Sequence, residues 1–210
     1  MPRVFYELML FMCIYSFGRC FGITFVDSTM IPVCHNLRRH INKVFAGLAK
    51  SGKGTMGWCH GFKLHFICND SGEIITFCLT AANVDNRDDI VWSVFTKHLY
   101  GKVFADRGYI KQELFESLFD RGIHLVHSLK ANMKNKLMPM WDKIMLRKRY
   151  VIECINHQLK EKANLVHSRH RSVHNFIMNL CSALAAYCFF EDKPQPLPVH
   201  RENTLQLELF

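Results

Sequence analysis

Along this chain the apolar positions change period several times, and each change marks an element. The pattern Gly22-Ile-Thr-Phe-Val-Asp27 alternates, with Ile23, Phe25 and Asp27 on one side and Thr24 and Val26 on the other. Phe62 to Cys68 alternates as well, and Asn69-Asp-Ser-Gly72 separates it from the apolar run Ile74 to Leu79. Two such runs joined by a turn predict an antiparallel hairpin. Residues 88–100 read as a helix entered through Asn86 or Asp85 and stopped at Gly101. Lys102 to Ala105 is a short buried strand, residues 110–120 an amphipathic helix through Ile110, Leu114 and Leu118, and Ile123 to Leu129 a further strand. A strand, helix and strand at this spacing predict a parallel, right-handed unit. Residues 4–20 and 173–190 read as helices, and Pro194, Pro196 and Pro198 open an extended tail.

One further helix has two unlike faces. From Ile144 to Lys160 the positions Ile144, Val151, Ile155 and Leu159 form an apolar stripe. Arg149, Glu153, His157 and Lys160 share the opposite face, because steps of three, four and seven residues return to the same side. A single carboxylate is therefore rimmed by cations. Two more acids stand at strand ends, Asp27 after the first strand and Asp106 after the fourth. In parallel units, sites gather at the carboxyl ends of the strands. The expectation is an α/β fold with a mixed, five-stranded sheet and flanking helices, in which Asp27 and Asp106 are neighbours and Glu153 closes the set.

Three convergent carboxylates raise one another's pKa unless a cation sits among them. Mg²⁺ or Mn²⁺ suits hard oxygen ligands, and two such ions about 3.5–4 Å apart support phosphodiester cleavage. Charge points to the substrate: 27 Lys and Arg against 18 Asp and Glu give a formal +9, which suits a polyanion such as DNA.

Other chemistries fare worse. Gly47-x4-Gly52-Lys53 imitates a phosphate loop, but Gly54 stands where a Ser or Thr would be needed, and no apolar strand precedes it. Residues 31–61 read instead as an irregular basic loop lying along a phosphate backbone. Nine cysteines in apolar runs, with no Cys-x-x-Cys, read as reduced core residues of a cytosolic protein. Cys34-His35, Cys59-His60 and the histidines 167, 170 and 174 have no zinc-finger spacing, so structural zinc is a weak third reading. The apolar stretch Leu8 to Phe17 is too short to span a bilayer, and it follows Glu7 with no cleavage site after it. No membrane partner is expected.

Phe25-Val-Asp27-Ser-Thr, Gly61-Phe-Lys63-Leu-His65, Ala105-Asp106-Arg-Gly-Tyr109 and Arg149-x3-Glu153-x6-Lys160 together resemble the DDE transposases of bacterial insertion sequences. The resemblance spans roughly residues 22–190. It implies a ribonuclease-H-like domain with Asp27, Asp106 and Glu153 as catalytic metal ligands for two Mg²⁺ or Mn²⁺ ions. It implies cleavage at element ends and transfer of the 3′-hydroxyl to target DNA by paired protomers near the bacterial nucleoid. DNA contacts are expected from Arg149 and Lys160, with Lys63, Arg107, Lys130, Lys134, Lys136, Arg169 and Arg171 as further basic candidates. Where the family commonly carries a Tyr before the helix Arg, this chain has Leu146. Residues 1–21 read as a remnant of the family's longer N-terminal region and 191–210 as a tail. The other open reading is a truncated remnant that binds DNA without cutting it.

Overall fold

A computed structural model of the protein describes residues 2–54, 57–128, 138–167 and 170–196. The strands are β1 (Ile23–Cys34), β2 (Lys50–Gly54), β3 (Gly57–Asn69), β4 (Ile74–Ala81), β5 (Gly101–Ala105) and β6 (Ile123–His127). The helices are α1 (Pro2–Phe11), α2 (Asp89–Phe95), α3 (Gln112–Phe119), α4 (Met140–Lys148), α5 (Tyr150–Glu161) and α6 (Val173–Cys188). The strands form one mixed sheet in the order β2-β3-β1-β5-β6, with β4 paired to β3. β1 and β3 are antiparallel, whereas β5 runs parallel to both β1 and β6.

Strand alternation divides the core between the two faces of this sheet. Phe25, Leu64, Phe66, Cys68, Phe104 and Val126 pack on one side with residues of α5 and α6, including Val151, Ile155, Leu159, Phe176 and Leu184. Val26, Ile67, Val103, Ala105, Ile123 and Leu125 pack on the other with Val91, Trp92 and Phe95 of α2 and Leu114 and Leu118 of α3. Phe25, Phe66 and Phe104 are fully buried, which stabilises the fold by about 1.5–3 kcal/mol each relative to exposure.

The parallel pairing begins where two glycines meet. Gly22 and Gly101 have φ of +88° and +77°, and a Cβ on Gly101 would lie 2.6 Å from the Gly22 carbonyl oxygen. That carbonyl accepts a hydrogen bond from the Lys102 amide at 2.8 Å. The register then runs Ile23 with Lys102, Thr24 with Val103 and Phe25 with Phe104.

The structure departs from the sequence reading in four places. The sheet has six strands, because the supposed loop at 31–61 contributes β2 and the outer halves of β1 and β3. Thr29, Ile31 and Val33 are buried alternately, so the strand period continues past Asp27 to Cys34. The long helix at 144–160 is two helices that meet at Arg149. At that junction the Arg149 amide bonds to Leu146 O and the Ile152 amide to Arg149 O, an i to i+3 pattern tighter than the α-helix. The first helix gives way after Phe11 to a π-helical turn, Met12–Ser16. The helix expected at 88–100 is confined to Asp89–Phe95 and is capped by the Asp88 carboxylate, which accepts from the Ile90 amide.

Among the described residues no helix is long and apolar enough to cross a membrane. α4 is pinned to β5 by a largely buried ion pair: Lys102 Nζ donates to Asp142 Oδ1 at 2.6 Å and also lies over the Trp141 ring.

β2 and β4 share one edge of β3 end to end, and Gly52 is where they crowd. A Cβ there would lie 2.0 Å from the Ala82 carbonyl oxygen, a backbone atom that cannot swing aside. Gly52→Ala is therefore expected to lower unfolding stability by about 1–3 kcal/mol in a urea titration followed by circular dichroism.

Candidate nucleic-acid cleft

β5 stops pairing at Ala105, while β1 runs on beside β3. The ground left beyond the end of β5 is a cleft of about 810 Å³. Its lining includes Asp27, Asp106 and Glu153 together with Arg149, Lys160 and Lys63. All three predicted acids therefore reach one cleft.

The geometry follows from register. Asp27 is two residues past Phe25 and Asp106 two past Phe104, and those phenylalanines are partners on adjacent strands with ring centroids 5.7 Å apart. Strand parity sends both carboxylates to the face covered by α4 and α5. α5 buries Val151, Ile152, Ile155 and Leu159, which leaves Glu153 on the rim with 57% of its side chain exposed.

Each acid has its own partner. Arg149 Nη2 donates to Glu153 Oε1 at 2.6 Å, one helical turn away. Asp106 Oδ1 accepts from the Gly108 amide at 2.7 Å and caps the short helical turn Arg107–Tyr109. Asp27 Oδ2 accepts from Asn156 Nδ2 at 2.8 Å, although 129 residues separate them in sequence. Burial pushes the Asp27 carboxyl up to about 6; the nearby charges of Asp106 and Glu153 add to the rise, and Arg149 opposes it.

A divalent metal was implied by the resemblance, and the donor set suits one: three carboxylates facing a common space, one of them carrying like-charge repulsion. The ligand sphere is not closed, however. Among the described residues no three His, Cys, Asp or Glu side chains are grouped closely enough to hold one ion. Glu153 is instead paired with Arg149, one turn before it.

The basic candidates divide. Arg149, Lys160 and Lys63 line the cleft, but the Lys63 ammonium is engaged with the Val84 carbonyl, and burial lowers its pKa. Arg107 is adjacent to Asp106 yet donates to Ser128 Oγ at 3.2 Å and is not part of the cleft wall. Arg171 is exposed just before α6, also off the cleft. Lys130, Lys134, Lys136 and Arg169 lie outside the described residues.

Several lining residues escaped the sequence reading. Asn156 is the chief one, and its only signal was its place three residues after Glu153 on the same helix. Ser28 donates to Asn86 Oδ1 at 3.0 Å, and the backbone carbonyl of Asn86 accepts from the Trp92 indole, also at 3.0 Å. This chain of contacts braces the floor beside Asp27. Tyr109 is wholly buried nearby, and burial together with the Asp27 and Asp106 charges holds its phenol protonated. His65 is buried on β3 against Thr80 Oγ1; burial lowers its pKa to about 4, so it is neutral at physiological pH.

The cleft thus sets three carboxylates beside the cations Lys53, Lys63, Arg149 and Lys160. The comparison with protein families gives it a name: the transposase DDE domain matches residues 17–173, and the chain belongs to that family. Among solved structures the chain is similar to the piggyBac transposase synaptic complex with hairpin DNA, determined by electron cryo-microscopy. The two share 13% identity over 65% of this chain and 30% of that one, with a TM-score of 0.37. No curated protein matches.

The raised pKa of Asp27 has a sign. The folded state holds this proton more tightly than the unfolded chain does, so the group favours folding while protonated, below about pH 4. That contribution is lost as pH rises through about 6. Asp27→Asn removes the buried charge and keeps an acceptor for Asn156. In the presence of EDTA it is expected to raise the melting temperature at pH 7.5 and to leave it nearly unchanged at pH 4. Equal shifts at both pH values would show that Asp27 is not under charge stress.

Proposed function

We propose that the chain is the catalytic domain of a DNA transposase that hydrolyses a phosphodiester at the ends of a mobile element and joins the freed 3′-hydroxyl to target DNA. The observation that carries this reading is that Asp27 on β1, Asp106 just past β5 and Glu153 on α5 all line one cleft with Arg149 and Lys160. Family membership supports it independently.

Each residue then has a task. Asp27, Asp106 and Glu153 would be the carboxylates that hold the metal, and Arg149 is the present partner of Glu153. Mg²⁺ or Mn²⁺ held there, two ions as the family resemblance implies, would supply water activation and charge stabilisation at the departing oxygen. Asn156 holds one oxygen of Asp27 and so fixes the direction of the other. Arg149 presents a planar fork of donors suited to phosphate, and Lys160 a compact positive charge on the same helix. In hydrolysis, water oxygen bonds to phosphorus, the P–O bond to the 3′ oxygen breaks, and that oxygen leaves as a hydroxyl. In joining, the same hydroxyl attacks a target phosphate and displaces its 3′ oxygen. Joining requires two DNA segments to be held together, a demand that a pair of protomers meets.

The test is direct. With Mn²⁺ and DNA carrying element ends, the wild-type chain is expected to nick at the ends. Asp106→Asn is expected to lose cleavage below detection while retaining DNA affinity, measured in EDTA, within about twofold. Cleavage that persists in this variant removes Asp106 from the chemistry and the proposal with it. Lys160→Ala is expected to weaken binding evenly across sequences and to lower the slope of log K against log salt by about 0.7–0.9, the loss of one phosphate contact.

A further inference from the structure

The β2–β3 hairpin carries an aromatic ring to the rim of the cleft and leaves it in water. Trp58 is 63% exposed, whereas Trp92 is 3% exposed and packs under the sheet. Trp58 nonetheless sits on an ordered strand. It pairs across the hairpin with Lys53, and its carbonyl accepts a hydrogen bond from Asn36 Nδ2 at 2.5 Å. Residues directly opposite on antiparallel strands project to the same face, so the two side chains leave the hairpin on one side. Both line the cleft that holds Asp27, Asp106 and Glu153.

This combination has a chemical meaning. An exposed indole on a fixed strand offers a flat apolar face, and the cross-strand lysine offers a cation for a nucleotide's phosphate. Stacking on an aromatic face accepts any base, but only one whose π-face is free. Paired bases within a duplex turn their edges to the grooves and keep their faces covered. The charge around the ring, with Lys53, Arg149 and Lys160 on the same cleft, complements a phosphate backbone.

We propose that Trp58 is a stacking platform for one unpaired base of the DNA strand entering the cleft, with Lys53 on its phosphate. The inference rests on the DNA reading above and deepens it: the preferred substrate is DNA with a locally opened or single-stranded segment next to the cut.

The full-length chain, Trp58→Phe and Trp58→Ala are compared in EDTA. The probes are a blunt duplex, the same duplex with a single-stranded tail, and an oligo-dT strand. The wild type is expected to favour the tailed duplex over the blunt one. Trp58→Ala is expected to lose about 5- to 150-fold in affinity for tailed and oligo-dT DNA, Trp58→Phe to keep most of it, and both to bind blunt duplex as the wild type does. Oligo-dT is expected to quench the wild-type tryptophan emission, and Trp58→Phe to abolish that quench while Trp92 and Trp141 remain. Melting temperatures check that all three chains are folded.

Equal loss on blunt and tailed DNA, no loss at all, or a quench that persists in Trp58→Phe would overturn the platform. So would a shift from dimer to monomer in Trp58→Ala on sedimentation, which would assign the indole to a second copy. If the wild type binds no DNA of any form, the DNA reading falls and the platform falls with it. If it binds and nicks DNA normally but Trp58 does not affect tail preference, only the platform falls.

Discussion

Three parallel residue pairs between β1 and β5 carry the rest of the architecture. They are few, and parallel ladders are slightly weaker per residue than antiparallel ones. Their value lies in position. They start where two glycines let the backbones approach, and they end two residues short of Asp27 and Asp106. A slip of one residue would turn one of the acids to the opposite face of the sheet, among Val103 and Ala105. The buried pairing of Phe25 with Phe104 on one face and the packing of Val26 and Val103 on the other make such a slip expensive. Hydrophobic registration is thus what aims the carboxylates.

Arg149 is the second point of control. It stands where α4 ends and α5 begins, so its side chain emerges at a corner rather than from the middle of a helix face. From there it reaches Glu153 and faces the cleft. α4 is held to the sheet by Lys102 and Asp142, with Trp141 against Phe104, so the corner is anchored on β5, the strand that delivers Asp106. Acid and cation are positioned by the same piece of core.

Much of this was legible in the residues. Phe25 and Asp27 share a strand parity, Asp106 closes an apolar run, and Glu153 lies opposite the stripe of Val151, Ile155 and Leu159. These are short-range periodicities, and they survive folding because the core rewards them. β2 was not legible, because Lys50-Ser-Gly-Lys-Gly54 has neither β-branched residues nor alternation. Its pairing is dictated by the free edge of β3, a tertiary constraint. The break at Arg149 was hidden because an apolar stripe continues through it. Asn156 was hidden because its partner is a strand residue far away in the chain, and no local pattern encodes a contact of that kind. Asn156 and the exposed ring at position 58 both acquire meaning only once the cleft exists.

The order in which the chain supplies its parts has a cellular consequence. Strand β1 is synthesised before β5, and the helix bearing Glu153 and Asn156 after both. On the reading proposed above, a nascent or prematurely terminated polypeptide lacks part of the cutting apparatus until α5 has emerged and docked. On that reading the order of synthesis withholds the complete carboxylate set until the last of its three elements is in place.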